Sequence, residues 1–158
     1  MNMNKPIVTN LEQIQKAINE DQLRAVLIDP YKQRVKEIRV KSGRQTINDI
    51  YGVIGCSLFT LASFYPRAVR RGSEILTNVQ HDVYVDDEGL FKPDQRFWFN
   101  KATGQVLAGK GLVLALDDEG NSSHCLWSDK GVKDRISWIG DRAVVQSMIQ
   151  LGVFANDV

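Results

Sequence analysis

Between Asn10 and Gly55 the spacing of apolar residues changes repeatedly, and each change marks an element. Leu11, Ile14 and Ile18 share one stripe of a helix that Asn10 can cap, with Gln13 three residues on, which predicts a short helix over 11–19. Ala25-Val26-Leu27-Ile28 is apolar on both faces, the pattern of a strand buried from two sides. Asp29-Pro30-Tyr31-Lys32 reads as a turn, with proline pre-setting the backbone, that returns the chain into a strand over 34–40. The clearest helix is next: Ile47, Ile50, Tyr51 and Ile54 fall at i, i+3, i+4 and i+7, Thr46 and Asp49 have capping-box spacing, and Gly55 is a stop. The apolar run Cys56 to Tyr65 predicts another strand, and Pro66 to Arg71 a basic connection.

From Ile75 onward strand signals dominate, through Val79 and then over 82–86, 95–99 and 111–116. Two of these alternating runs end in the same four residues, Asp86-Asp87-Glu88-Gly89 and Asp117-Asp118-Glu119-Gly120. A polar turn ending in a residue free to take positive φ is how a hairpin is made, so both copies are expected to be hairpin turns with structural aspartates. Residues 129–139 fit a short helix leading into a strand, without separating the two. A final helix over 142–151 is expected to start near Asp141, turn Val144, Val145, Met148 and Ile149 inward, and stop at Gly152. These elements describe an α+β fold: a mainly antiparallel twisted sheet with short packing helices near 11–19, 46–54 and 142–151. No Pro/Gly/Ser-rich linker interrupts them, so residues 1–158 read as a single domain.

A chain of 158 residues buries roughly two thirds of its unfolded surface and needs no staple. With 43% apolar and 25% charged residues it has ordinary globular composition. Two cysteines, Cys56 and Cys125, are too few for a disulfide framework. No apolar leader is visible at the N-terminus, and the uncharged stretch from Ile50 to Pro66, broken by Gly52 and Gly55, falls short of a bilayer span. The expectation is a cytoplasmic protein without a membrane partner. Net charge is +1, yet residues 24–71 hold ten basic and three acidic side chains. Such an excess marks either an anion-binding face or a solvated strand edge guarded by lysine and arginine.

Gly104 to Gly111 nearly matches the phosphate-binding loop G-x-x-x-x-G-K-[ST], but Gly111 stands where the metal-binding hydroxyl belongs and a strand follows instead of a helix. What survives is Lys110 between two glycines, where an ammonium and backbone amides could approach an anion. The acidic clusters could hold a hard cation, but turn chemistry accounts for every residue in both. His81, His124, Cys56 and Cys125 lack metal-ligand spacing, so neither a metal nor a cofactor is expected. No catalytic residue is named, because no nucleophile, acid/base or metal signature stands out. Arg67, Arg70 and Arg71 could bind phosphate through their guanidinium forks. Phe97, Trp98 and Phe99 alternate in a strand, so either Trp98 or the phenylalanine pair lies on the opposite face, covered or exposed as a stacking platform.

Leu27-Ile28-Asp29-Pro30, Ile50-Tyr51 with Ile54-Gly55-Cys56, Tyr84-Val85-Asp86-Asp87-Glu88-Gly89-Leu90 and Leu107-Ala108-Gly109-Lys110-Gly111-Leu112-Val113-Leu114 together carry a likeness. Across about residues 24–139 the chain resembles an uncharacterised family of small phage and plasmid proteins, with helical additions at both ends. The resemblance implies a bacterial host cytoplasm and a mobile-element role. It implies no catalytic residues. The expected function is a non-catalytic binding protein that counters host defence by sequestering an anionic, nucleotide-like ligand or a host protein. Arg67, Arg70, Arg71 and Lys110 would form the ligand surface, with Trp98 as stacking partner. The alternative is a small enzyme acting on a nucleotide or nucleic acid.

Overall fold

The computed structural model describes residues 11–65, 79–89, 92–117 and 119–152. Among these residues four helices, α1 (Leu11–Asn19), α2 (Thr46–Ile54), α3 (Asp129–Lys133) and α4 (Arg142–Gln150), accompany nine strands. The strands are β1 (Gln22–Asp29), β2 (Arg34–Lys41), β3 (Phe59–Tyr65), β4 (His81–Asp86), β5 (Arg96–Asn100), β6 (Gln105–Ala108), β7 (Gly111–Leu116), β8 (Ser122–Ser123) and β9 (Ile136–Asp141). Every strand pairing among the described residues is antiparallel. The fold is α+β, as the pattern predicted, but with two sheets. One runs β2-β1-β7-β4-β3 with β8 added to β7, and the other runs β6-β5-β9.

Side-chain alternation explains the layers. On the first sheet, Ala25, Leu27, Tyr84, Leu112 and Leu114 point to one face and pack with Ile50 and Ile54 of α2. Val26, Ile28, Val83, Val85 and Val113 point to the other face and meet Trp98, Leu107 and Ile136 of the second sheet. The far side of the second sheet puts Phe97 and Ala108 under Val145 of α4. The order through the molecule is helix, sheet, sheet, helix, and the three-residue run at 97–99 straddles the second sheet. Of the apolar residues expected inward on α4, Val145 is buried and Met148 is half-buried, while Val144 and Ile149 are 39% and 59% exposed.

The two Asp-Asp-Glu-Gly segments part company. Asp117-Asp118-Glu119-Gly120 does join a hairpin, since β7 pairs β8. Asp117 Oδ1 accepts from the N–H groups of Glu119 and Asn121 at 2.9 and 2.8 Å, and Gly120 takes φ +82°. Asp86-Asp87-Glu88-Gly89 is no hairpin turn: β4 lies in the first sheet and β5 in the second, so the segment carries the chain across. Gly89 lacks positive φ; its need is space, because a Cβ there would lie 3.3 Å from Ala108 Cβ and from Ala108 O.

At α2 the expected capping box does not form. Gln45 is the N-cap, and Thr46 Oγ1 instead donates to Lys41 O and Gly43 O at 2.7 and 2.9 Å. Asp49 accepts from Lys41 N at 2.7 Å, so both residues tie the helix to the end of β2. The strand signal at 75–78 lies outside the described residues.

Candidate functional site at the sheet edges

Three segments singled out in the sequence meet at one corner. Tyr31, held in the turn by Asp29 Oδ1, which accepts from the Tyr31 and Lys32 N–H groups, donates its hydroxyl to Gln95 Oε1 at 2.6 Å. Gln95 Oε1 in turn lies 3.2 Å from where a Cβ on Gly109 would stand. From the crossing loop, Lys92 pairs with Asp86, which also accepts from Glu88 N at 3.0 Å. The Asp29-Pro30 turn, residues 84–89 and the 107–114 block thus pack together. Burial pushes the Tyr31 hydroxyl and the nearby Cys56 thiol above their ordinary pKa values, and Asp86 does the same to Lys92 by hydrogen bonding.

Beside this corner the sheets part around a groove of about 360 Å³. It is lined by Thr60, Leu61, Ala62 and Ser63 of β3, by Val85 to Asp87 at the end of β4, and by Gln105 to Ala108 of β6. Both β3 and β6 are edge strands, with no partner on their outer sides among the described residues. The two edges of the first sheet differ in chemistry. β2 reads Arg-Val-Lys-Glu-Ile-Arg-Val-Lys and accounts for much of the basic excess in residues 24–71, in the manner of a guarded edge. β3 reads Phe-Thr-Leu-Ala-Ser-Phe-Tyr, with no charge and no proline.

The residues expected to bind an anion do not assemble here. Arg67, Arg70 and Arg71 lie outside the described residues. Trp98 is fully buried between the sheets with its Nε1 donating to Gly109 O at 3.0 Å, so its ring is no stacking platform. Lys110 is half-buried at the crossover from β6 to β7 and has no ion-pair partner among the described residues. The glycines beside it serve packing. Gly109 takes φ +77° and donates its N–H to Arg96 O, and a Cβ on Gly111 would lie 2.8 Å from Val83 Cγ2 and 2.9 Å from Trp98 Cζ2.

His81 and the segment 124–127 form a polar knot that the sequence did not reveal. Arg24, 1% exposed, donates from Nη1 to Cys125 O and Trp127 O at 2.8 Å each, with Nε 3.2 Å from Glu37 Oε2. His81, fully buried, accepts from Leu126 N at 3.0 Å and has Nδ1 3.2 Å from Val79 O. Burial pushes the His81 pKa down to about 4, and a neutral ring donating through Nδ1 meets both bonds. Cys125 is buried with its thiol pushed up to about 11. Charge in a strand that otherwise reads as core was the available signal for Arg24. No group of three or more His, Cys, Asp or Glu is placed to hold a metal among the described residues, and no helix there is long and apolar enough to cross a membrane. Comparison with protein-family models, curated proteins and solved structures returned no match.

Proposed function

We propose that this chain is a binding protein that holds a protein partner in the groove between the edges of its two sheets. The observation that carries this reading is the uncharged edge of β3, open among the described residues, beside a groove of about 360 Å³. An open strand edge offers main-chain donors and acceptors to another chain, and natural sheets guard such edges unless they are used. Asp86 and Asp87 in the lining disfavour a phosphate there. The resemblance to mobile-element proteins makes a host defence protein the partner class to examine, with sequestration as the mode of action. An anionic ligand is the second reading, favoured by Lys110, a half-buried cation without an ion-pair partner among the described residues.

The test is selection of binders from a random displayed-peptide library. Calorimetry of those peptides and of cyclic and linear nucleotides then follows at two salt concentrations, with product analysis. Peptides that bind the wild-type chain and lose binding when Gln105→Trp fills the groove rim are expected. Failure to select any peptide, with salt-sensitive nucleotide binding that Lys110→Ala removes, would replace this reading by the anionic one. Conversion of a nucleotide would make the chain an enzyme.

A further inference from the structure

The ladder between β3 and β4 fixes what β3 shows to the outside. Asp87 N–H donates to Leu58 O at 2.9 Å, continuing the register in which Phe59 lies opposite Asp86. Hydrogen-bonded and non-hydrogen-bonded pairs alternate in an antiparallel ladder, so residues 58, 60 and 62 spend their main-chain groups on β4. Phe59, Leu61 and Ser63 turn theirs to the free edge. The Ser63 carbonyl accordingly meets Asn100 Nδ2 at 3.4 Å, from the other sheet. Among the described residues this leaves the N–H and C=O of Phe59 and Leu61 and the N–H of Ser63 as a short row of open rungs. Leu58 and Leu61, 49% and 47% exposed, flank it.

At the Phe59 end of that row the surface is acidic. Asp87 and Glu88 are exposed, and the nearby Lys92 is engaged by Asp86. A segment of matching chemistry is extended, bonds through its backbone, and carries a cation at the end that reaches these carboxylates. A second copy's β3 matches the first two requirements only, because that strand has no charge. We propose that the partner adds a strand to the edge of β3 and sets a lysine or arginine side chain against Asp87 and Glu88. This rests on the protein-binding reading of the groove.

Three probes are synthetic octapeptides of alternating valine and threonine: one with lysine at the N-terminal end, one with lysine at the C-terminal end, and one with glutamate in place of lysine. A lysine-ended peptide is expected to bind and to outcompete the glutamate form. Methylating its backbone nitrogens one at a time should abolish binding at alternate positions and spare the positions between, the signature of a ladder. Asp87→Asn with Glu88→Gln should weaken the lysine-ended peptide about fivefold, the scale of an exposed ion pair, and erase its advantage. Leu61→Pro deletes one outward N–H without touching the bonds to β4, so it should remove binding while a melting curve shows the fold retained.

If library-selected peptides bind and Gln105→Trp displaces them, yet neither lysine peptide binds or methylation shows no alternation, strand addition is wrong and the protein-binding reading stands. If no peptide of either kind binds, both fail. A chain that sediments as a dimer, and as a monomer after Leu61→Pro, has a second copy on this edge, which overturns the proposed partner.

Discussion

Single residues in this fold are set by neighbours far along the chain. Gly111 is the clearest case: in sequence it looks like the end of a phosphate loop, and in the structure it is the space that the Trp98 indole and Val83 occupy. Gly111→Ala should therefore destabilise by about 1–3 kcal/mol, the usual penalty for adding a methyl to a filled core. Trp98→Phe also destabilises, by lost contact and by orphaning the Gly109 carbonyl that accepts the indole N–H. The smaller ring leaves room for the added methyl, so the double variant should lose less than the sum of the two single losses. Urea unfolding of the four proteins measures that coupling, and strict additivity would mean that the indole and Gly111 are independent.

Elements follow local pattern where the contacts are local. The hairpin from β7 to β8 is held by Asp117, whose carboxylate stands in for backbone acceptors, and by Gly120, whose φ of +82° strains any side chain. Gly120→Val should cost about 1–2 kcal/mol from that conformation, and Asp117→Asn less, because the amide oxygen still accepts. At the other copy Gly89→Val should also destabilise, but by crowding Ala108, so Ala108→Gly should relieve part of that loss. Thermal melts separate the two causes. The helices near 11–19, 46–54 and 142–151, the buried strand expected over 24–29 and the strand at 111–116 were legible because their apolar spacing is contained in each segment. Strand β6 was not, since its four residues Gln-Val-Leu-Ala run into Gly-Lys-Gly and so carry a phosphate-loop signal stronger than their alternation. The split into two sheets was illegible too: identical Asp-Asp-Glu-Gly tails lead into a hairpin once and into a crossing loop once, and only the pairing of β7 with β1 and β4 decides which. For the same reason Trp98 looked like an available ring, while the edge of β3 could not be recognised before the strand order was known.

At the scale of the whole molecule, the first sheet opens where β1 leaves β7, and the chain after β8 enters the gap. Pairing of β1 with β7 runs from Val26↔Val113 to Ile28↔Gly111, while Ala115 and Leu116 pair with β8 and Cys125 N–H donates to Arg24 O at 2.8 Å. This insert, residues 124–127, leads to α3 and β9, so it couples the first sheet to the second. Arg24 grips it from β1 and His81 from β4, the latter by accepting Leu126 N–H on a neutral ring. A proton on His81 destroys that acceptor and places a charge in a site of no exposure, with the Arg24 cation adding repulsion. The folded pKa is lowered from 6.5 to about 4, so the unfolded chain binds the proton first as pH falls. Stability from this group is complete above about pH 6.5 and is lost between there and about pH 4, by of order 3 kcal/mol. His124, also shifted down by burial, acts in the same direction. His81→Gln keeps an acceptor near the Leu126 N–H and cannot ionise, so its unfolding free energy should fall more gently over that interval than the wild type's. Parallel urea titrations from neutral to about pH 4.5 give the two slopes. Equal slopes would show that the grip of β4 on the insert does not depend on a neutral His81.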